Sequence, residues 1–163
     1  GAWALVASMS GKRNDLVSVV LDGKIYTMGG FGDGMAELDT VEAYDPQADS
    51  WQRVASMPQG RYGHAAAAMG GKIYVTGGHS QGSSVNSVCV YDPQANAWTQ
   101  LASMGARRCN HASAAVGGKL YVFGGYGDGG GLNTAEVYDP ASDSWAQGPS
   151  LTSAREAPAA VAI

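Results

Sequence analysis

Charged side chains are scarce in this 163-residue chain, at 15% of residues, against roughly 25% in an average soluble domain. No apolar run approaches the roughly 20 residues that a membrane-spanning helix needs, and the first residues lack a charged-then-apolar leader pattern. The formal charge of −4 and the pI near 5.2 argue against a nucleic-acid surface, which needs clustered Lys and Arg. The sequence therefore predicts neither membrane insertion nor nucleic-acid binding.

Cysteine is scarce too, since Cys89 and Cys109 are the only two, and the sequence contains no Asn-x-Ser/Thr acceptor site. Two cysteines at this spacing suggest no disulfide framework, so we expect a reducing, cytoplasmic setting. A helical apolar period is also absent from every segment. We therefore expect essentially no helix.

What the chain has in abundance is glycine, with 24 residues, and much of it recurs in one pattern. The stretch 70–78 reads Gly-Gly-Lys-Ile-Tyr-Val-Thr-Gly-Gly, and related stretches occupy 22–30 and 117–125. Each is a short apolar run, rich in β-branched and aromatic residues and bounded by glycine, which predicts a strand with sharp ends. Apolar side chains fall on both faces of that strand, so we expect it to be covered on both sides.

The pattern is part of a longer repeat. Four tryptophans are spaced 48, 47 and 47 residues apart, and Tyr-Asp-Pro recurs at 44–46, 91–93 and 138–140. A period near 50 residues with a double glycine, a tyrosine and a tryptophan resembles a kelch array. The resemblance covers essentially the whole chain. It implies an all-β fold, a kelch-type β-propeller with one four-stranded antiparallel blade per repeat.

We interpret residues 1–163 as a single kelch-repeat segment with three full blades, at roughly 16–54, 64–101 and 111–147. Residues 3–7 are predicted to form one outer strand, and residues 157–163 one inner strand. Propellers typically close with four to eight blades. We therefore expect the rest of a longer chain, or a second copy, to complete the ring.

Residues that recur in register are expected to have structural roles. The glycines and tryptophans of this set are Gly29, Gly30, Gly77, Gly78, Gly124, Gly125, Trp3, Trp51, Trp98 and Trp145. The repeated arginines are Arg13, Arg61, Arg108 and Arg155. They could line the channel mouth and attract an acidic peptide, but we favour a structural role in which they pair with Glu42 and Glu136. Cys89 takes the glutamate position in the middle repeat, so one pair should be missing.

Two sets of loops vary between repeats: those joining the second and third strands, and those joining consecutive blades. Strand geometry places both sets on one face, and variation concentrated on one face is typical of a binding surface. In the kelch family, the position after the double glycine contacts partner peptides, which here implicates Phe31, His79 and Tyr126. We predict that the protein-binding rim is completed by Tyr62, Asp15, Asn110 and Arg107.

Three patterns that resemble chemical motifs are weaker. Residues 78–82 match G-x-S-x-G and residues 125–130 match G-x-G-x-x-G, but no helix is expected after either. His64, His111, His79 and Cys109 could hold a metal if they converged. We instead expect the two repeated histidines to bond locally, and we assign no catalytic residue, metal or cofactor.

The sequence thus favours a protein-interaction module that binds a peptide or loop of a partner. In the family, such modules select substrates for cullin-type ubiquitin ligases through BTB or F-box domains, or organise actin, and this chain resembles the BTB-linked group.

An alternative is a kelch-like propeller enzyme such as a sugar oxidase, an epimerase or an iron-dependent specifier protein. The carboxylates open to that use are Asp15, Asp33, Glu37, Asp39, Asp128 and Glu156. A structural subunit of a larger assembly is a third interpretation.

Overall fold

The computed structural model describes residues 2–161, in which the regular elements are β-strands and one 3-10 turn at Asp33–Met35, joined by turns and loops. Three four-stranded antiparallel sheets follow one another along the chain. Blade 1 consists of β1 (Val17–Leu21), β2 (Lys24–Met28), β3 (Val41–Asp45) and β4 (Ser50–Val54). Blade 2 consists of β5 (Ala65–Met69), β6 (Lys72–Thr76), β9 (Val88–Asp92) and β10 (Ala97–Leu101). Blade 3 consists of β11 (Ala112–Val116), β12 (Lys119–Phe123), β15 (Ala135–Asp139) and β16 (Ser144–Gln147).

Two short hairpins lie within the loops between the second and third strands of blades 2 and 3. They pair β7 (His79–Ser80) with β8 (Ser83–Ser84), and β13 (Tyr126–Gly127) with β14 (Gly130–Gly131). The corresponding loop of blade 1 holds the 3-10 turn instead. The loops that differ most in sequence therefore also differ in backbone structure.

The first and second strands of each blade are joined by a two-residue turn with positive φ at both positions. In blade 1 these residues are Asp22 and Gly23, with φ of 51° and 74°. A type I′ turn needs this geometry, and its twist matches that of the flanking strands. The equivalent pairs of blades 2 and 3 are both Gly-Gly, with φ between 59° and 75°. Because the turn is fixed, the register of the first hairpin is the same in all three blades.

The hydrophobic core lies between blades rather than within one of them. Ile73 and Val75 of β6 pack in the cluster shared with blade 1, whereas Tyr74 packs with Leu120 and Tyr138 of blade 3. The central strand is covered on both sides for this reason. The innermost strands β1, β5 and β11 surround a cavity of about 360 Å³ lined mainly by alanine and valine. Small side chains suit the place where the blades converge.

The outermost strand of each blade is tied to the segment that ends the preceding repeat. The indole Nε1 of Trp51, Trp98 and Trp145 donates to the carbonyl oxygen of Ala7, Ala55 and Ala102 respectively, each at 2.8 Å. These three tryptophans are half-buried. Trp3 is fully exposed, at 103% of its reference accessible area. Trp51 packs beside Ala7 of the preceding repeat, and no equivalent segment among the described residues lies beside Trp3.

The terminal segments differ from the sequence-based expectation, because neither residues 3–7 nor residues 157–161 are hydrogen-bonded as strands. Residues 162 and 163 of the expected inner strand lie outside the described residues. A strand is defined by pairing with a neighbour. The segment at 3–7 has no third strand beside it, and the segment at 157–161 has no second strand beside it, so each runs unpaired.

Candidate functional site on the variable-loop face

The two sets of variable loops meet on one face of the molecule. Each blade is entered through a loop that pairs, by one isolated antiparallel bridge, with the loop following that blade's double glycine. The bridges join Asn14 to Phe31, Tyr62 to His79, and Cys109 to Tyr126. In blade 2 the His79 N–H donates to the Tyr62 carbonyl at 2.8 Å, and the Tyr62 N–H donates to the His79 carbonyl at 3.1 Å. The loops are thus held to each other by backbone bonds.

These bridges bring three of the predicted binding residues into one aromatic stack. The ring centroids of Phe31 and Tyr62 are 4.0 Å apart, and those of Tyr62 and His79 are 4.9 Å apart. We call Phe31, Tyr62 and His79 the aromatic stripe. All three are half-buried. Tyr126 is not part of the stack and is 45% exposed, because Cys109 occupies the position that Tyr62 holds in blade 2.

Asp15 and Asn110, two further predicted binding residues, have exposed side chains, while their backbones join a chain of hydrogen bonds across the blades. Gly63 N donates to Asp15 O at 3.3 Å, Asn110 N to Gly63 O at 2.7 Å, and Ala157 N to Asn110 O at 2.9 Å. All four residues have left-handed backbones, with φ between 47° and 56°. We call this chain of bonds the backbone ring. It fixes the spacing of successive inter-blade loops.

The repeated arginines lie beneath this face, and three of them are buried. The guanidinium of Arg108 donates to the carbonyl oxygens of Gly124 at 2.8 Å and Thr134 at 3.2 Å, and to the carboxylate of Glu136 at 2.7 Å. Arg13 makes the same three kinds of contact, including a bond of 2.6 Å to Glu42. Each arginine thereby joins an inter-blade loop to the following blade. Arg155 is exposed, as is Arg107 beside Arg108.

The carboxylates of Glu42 and Glu136 accept further hydrogen bonds besides those from the arginines. Backbone N–H groups of the arginine loop donate to the Glu136 carboxylate at 2.6 and 3.1 Å, from Gly105 and Ala106. Burial by itself would raise the pKa of Glu42. Bonds from the Ser10 N–H and hydroxyl, together with the charge of Arg13, hold that pKa below its ordinary value.

Blade 2 departs from this arrangement at two positions together. Cys89 stands where the other blades have glutamate, and Pro58, which has no N–H, stands where Ser10 and Gly105 donate. Arg61 keeps its bonds to Gly77 O at 2.8 Å and Ser87 Oγ at 3.2 Å, and within residues 2–161 it has no carboxylate partner. Burial lowers the pKa of Arg61 and raises that of the Cys89 thiol to about 11. One buried guanidinium therefore lacks a counter-charge.

The repeated histidines lie at the start of the innermost strands and face the preceding blade. Burial lowers the pKa of both His64 and His111 to about 3, so both are neutral near pH 7. Nε2 of His111 lies 2.8 Å from Thr76 Oγ1 of blade 2. Across residues 2–161, no three His, Cys, Asp or Glu side chains are placed to share a metal ion.

The G-x-S-x-G match lies in the β7–β8 hairpin, which is not the strand-turn-helix that a nucleophile elbow requires. Ser80 is 2% exposed. Its hydroxyl donates to the Gly60 carbonyl oxygen, and its Oγ lies 3.4 Å from the Glu37 carboxylate, which also accepts from the Gln81 N–H at 2.9 Å. Glu37 therefore ties the loop of blade 1 to that of blade 2. Sequence reasoning offered Glu37 only as a candidate acid, since nothing in the spacing shows that it reaches the neighbouring blade.

Sequence reasoning also missed the residues that fix the outer turns. Asp49, Asn96 and Asp143 each accept from a tyrosine hydroxyl at 2.7–2.8 Å and from a backbone N–H of the preceding repeat. Their spacing of 47 residues was a signal that could have found them. The described residues include no helix with the length and hydropathy of a membrane span.

Radially arranged four-stranded antiparallel sheets with their inner strands around a central cavity define a β-propeller. The chain matches the KLHDC2/KLHL20/DRC7 Kelch-repeats domain over residues 6–108 and the Kelch motif over residues 107–152. The first match alone covers more than half of the sequence. The chain therefore belongs to the kelch-repeat family, which confirms the resemblance in the sequence.

Solved structures support the same fold. The structure of YjhT superposes with a TM-score of 0.80 at 21% sequence identity, covering 95% of this chain and 57% of that one. At this identity the likeness shows the fold alone. The chain spans little more than half of that structure, so the expectation of a partial propeller is confirmed. No curated protein matches the chain.

Proposed function

We propose that this chain is a protein-interaction module that holds a peptide or loop of a partner protein on the variable-loop face. The observation that supports this most is the aromatic stripe, whose three predicted contact residues come from loops of two blades and stack into one continuous surface. Stacked, half-buried rings held by backbone bridges are ordered before binding. Binding to them therefore costs little conformational entropy.

The other predicted residues extend the surface to blade 3. Tyr126, Arg107 and Asn110 are exposed, and the Cys109–Tyr126 bridge holds their two loops together. In this proposal a partner contacts several blades at once, with aromatic anchors at the centre and polar groups at the rim. Residues 1–163 act as one unit, built of the blades at 16–54, 64–101 and 111–147.

The finer parts of the proposal rest on the family. As a member of the BTB-linked kelch group, the module would select substrates for a cullin-type ubiquitin ligase, or associate with the cytoskeleton, in the cytoplasm. A BTB or F-box domain would be supplied by sequence beyond these 163 residues, and further blades or a second copy would close the ring. Neither nucleic acid nor a membrane is part of the proposed interaction.

The test is affinity capture from cell extract with the chain as bait, read by quantitative mass spectrometry. Tyr62→Ala and Tyr126→Ala should each reduce recovery of the specific partner about ten-fold or more, the size expected of an aromatic anchor. Gln47→Ala and Gln94→Ala, on exposed turns between the third and fourth strands, are the matched controls. A partner that is recovered equally by all four variants would refute binding at the variable-loop face.

A further inference from the structure

The aromatic stripe is bordered by two carboxylates from different loops. Glu37 is joined to Phe31 by an isolated bridge, and its carboxylate reaches the backbone of Gln81, two residues beyond His79. Asp15 lies next to Asn14, the bridge partner of Phe31, and its carbonyl accepts from the N–H of Gly63, the neighbour of Tyr62. Both acids therefore belong to the same linked loops as the aromatic stripe.

In the part of the chain that the structure describes, neither carboxylate has a cationic partner, although Glu37 accepts from the Gln81 N–H. Among residues 2–161 there are five ion pairs, and none includes Asp15 or Glu37. The two nearby arginines are directed elsewhere, since Arg13 is bound to Glu42 and Arg61 to backbone carbonyls beneath the face. Burial, together with the negative charges of Glu37 and Asp15, raises the pKa of the Tyr62 hydroxyl.

The loops that carry Asp15 and Glu37 also have a net negative charge. Residues 12–16 and 31–40 contain the carboxylates of Asp15, Asp33, Glu37 and Asp39, against the cations of Lys12 and Arg13, of which Arg13 is bound to Glu42. The loop at 79–87 of blade 2 has no charged side chain. The equivalent loops of blade 3 are balanced in charge, with Arg107 and Arg155 against Asp128 and Glu156. The acidic field is thus concentrated at the aromatic stripe.

Resting on the proposed function, we infer that the partner segment held at the aromatic stripe is cationic, with the stem of an Arg or Lys side chain lying along the edge of the stripe and its charge placed between Asp15 and Glu37. Because Phe31 and His79 stack on Tyr62, the cationic group lies at the border of the stripe rather than over the middle ring. Two flanking carboxylates add charge-assisted bonds, for which the fork of arginine is well suited. The aromatic rings supply apolar contact for the methylene stem.

The experiment is selection of peptides from a random 12-residue display library on the immobilised full chain, followed by affinity measurements on variants. Tyr62→Leu removes the ring but retains an apolar side chain, and Asp15→Asn with Glu37→Gln removes the charges but retains the shape. Each should weaken the selected peptides about three- to ten-fold. The matched control, Asp128→Asn, makes the same charge change on the blade 3 loop and should leave affinity unchanged.

The selected peptides should be enriched in Arg and Lys, and they should bind more weakly as salt is raised. Lys12→Gln should strengthen their binding, because it removes the one competing ammonium from these loops. Melting temperatures of all variants confirm that each is folded.

The outcomes separate this inference from the proposed function. Neutral or acidic peptides that still require Tyr62 would overturn the cationic assignment and leave the interaction module standing. Cationic peptides weakened equally by Asp128→Asn would show general attraction to an acidic protein, which also overturns it. Peptides indifferent to Tyr62→Leu and Tyr126→Ala, or no selected peptide at all, would count against both proposals.

Discussion

Cys89 shows how one residue changes the balance of a repeated site. Where the other blades hold glutamate, this thiol leaves the buried Arg61 without a carboxylate, and Pro58 removes a backbone donor that a carboxylate would have used. Blade 2 thus lacks both the carboxylate and the backbone N–H that would donate to it. A buried charge without a partner is costly, and Arg61 limits that cost through its bonds to backbone carbonyls.

Cys89→Glu should therefore stabilise the protein, because it places a carboxylate where the pairs of blades 1 and 3 already show that one fits. We expect a gain of about 1–2 kcal/mol in the free energy of unfolding, a typical value for a hydrogen bond to a charged group. Chemical denaturation at pH 7 measures it. The matched control is Cys89→Gln, which has the same size without the charge, and an equal gain from both would contradict the electrostatic explanation.

The buried histidines predict an acid-labile fold. In the unfolded chain a histidine has a pKa near 6.5, whereas burial lowers the pKa of His111 to about 3 in the folded protein. Its contribution is therefore fully present above pH 6.5 and is lost as the pH falls toward 3. Between pH 7 and pH 5 each such histidine should cost about 2 kcal/mol of stability.

Urea unfolding at these two pH values tests this for His111→Asn. The difference in unfolding free energy between pH 7 and pH 5 should be about 2 kcal/mol smaller in the variant than in the native chain. An unchanged difference would mean that His111 is not the group that takes up the proton. Loss of the bond to Thr76 affects both pH values alike and does not obscure the comparison.

At the scale of elements, the double glycine that ends each second strand is fixed by the loop that enters the next blade. The N–H of Gly30 donates to the carbonyl of Arg61 at 2.9 Å, and the same bond joins Gly78 to Arg108 and Gly125 to Arg155. Gly29 has a φ of 64°, and a Cβ there would lie 2.6 Å from the Arg61 carbonyl oxygen. Only glycine allows this approach.

Gly29→Ala should therefore destabilise the chain by about 2 kcal/mol or more, since it combines a left-handed backbone with a clash against main-chain atoms. Thermal unfolding gives the measurement. Gly11→Ala is the matched control, because a Cβ at Gly11 meets nothing within 4 Å. If the two variants had the same melting temperature, the close approach of the blades would not explain why position 29 is glycine.

The elements themselves were predictable from the sequence because their signals are local. Glycine turns mark both ends of β6, and its unbroken apolar run indicates a strand covered on both faces, as found. Strand pairing at the termini was not predictable in this way. An extended segment such as 3–7 becomes a strand only when a neighbour is present, and sequence pattern does not report neighbours.

The candidate site was predictable to a smaller degree. Variation between repeats indicated the face, and the position after the double glycine indicated Phe31 and His79. The stack of both rings on Tyr62 depends on bridges between loops, which have no periodic signature. For the same reason the contact of Glu37 with the next blade, and the isolation of Tyr126, became visible only in three dimensions.

At the scale of the whole molecule, the two end blades each leave an apolar surface uncovered. Ile25 of β2 is 37% exposed, whereas its equivalents Ile73 and Leu120 are 0% exposed between blades. Tyr121 and Phe123 of β12 stack at 6.2 Å and remain half-buried on the opposite end. Apolar surface of this kind is usually covered by another blade or another molecule.

The 163-residue chain on its own should therefore self-associate as its concentration is raised. Sedimentation velocity should show the average mass increasing, and Ile25→Lys together with Tyr121→Lys should suppress that increase. Gln52→Lys, which adds a charge to the outermost strand, serves as the control. Monomeric behaviour at every concentration would indicate that the uncovered ends are tolerated in water.

The backbone ring has a consequence for how such proteins diversify. Each inter-blade connection contributes one residue with a left-handed backbone to the backbone ring. An extra amino acid in such a connection would break its hydrogen bonds to the two neighbouring connections and change the angle of the following blade. The connection after each double glycine has no such constraint and already takes a 3-10 turn in one blade and a hairpin in the next two. Insertions and deletions should therefore accumulate in the second kind of connection during evolution, while the first kind accepts only replacements of equal length.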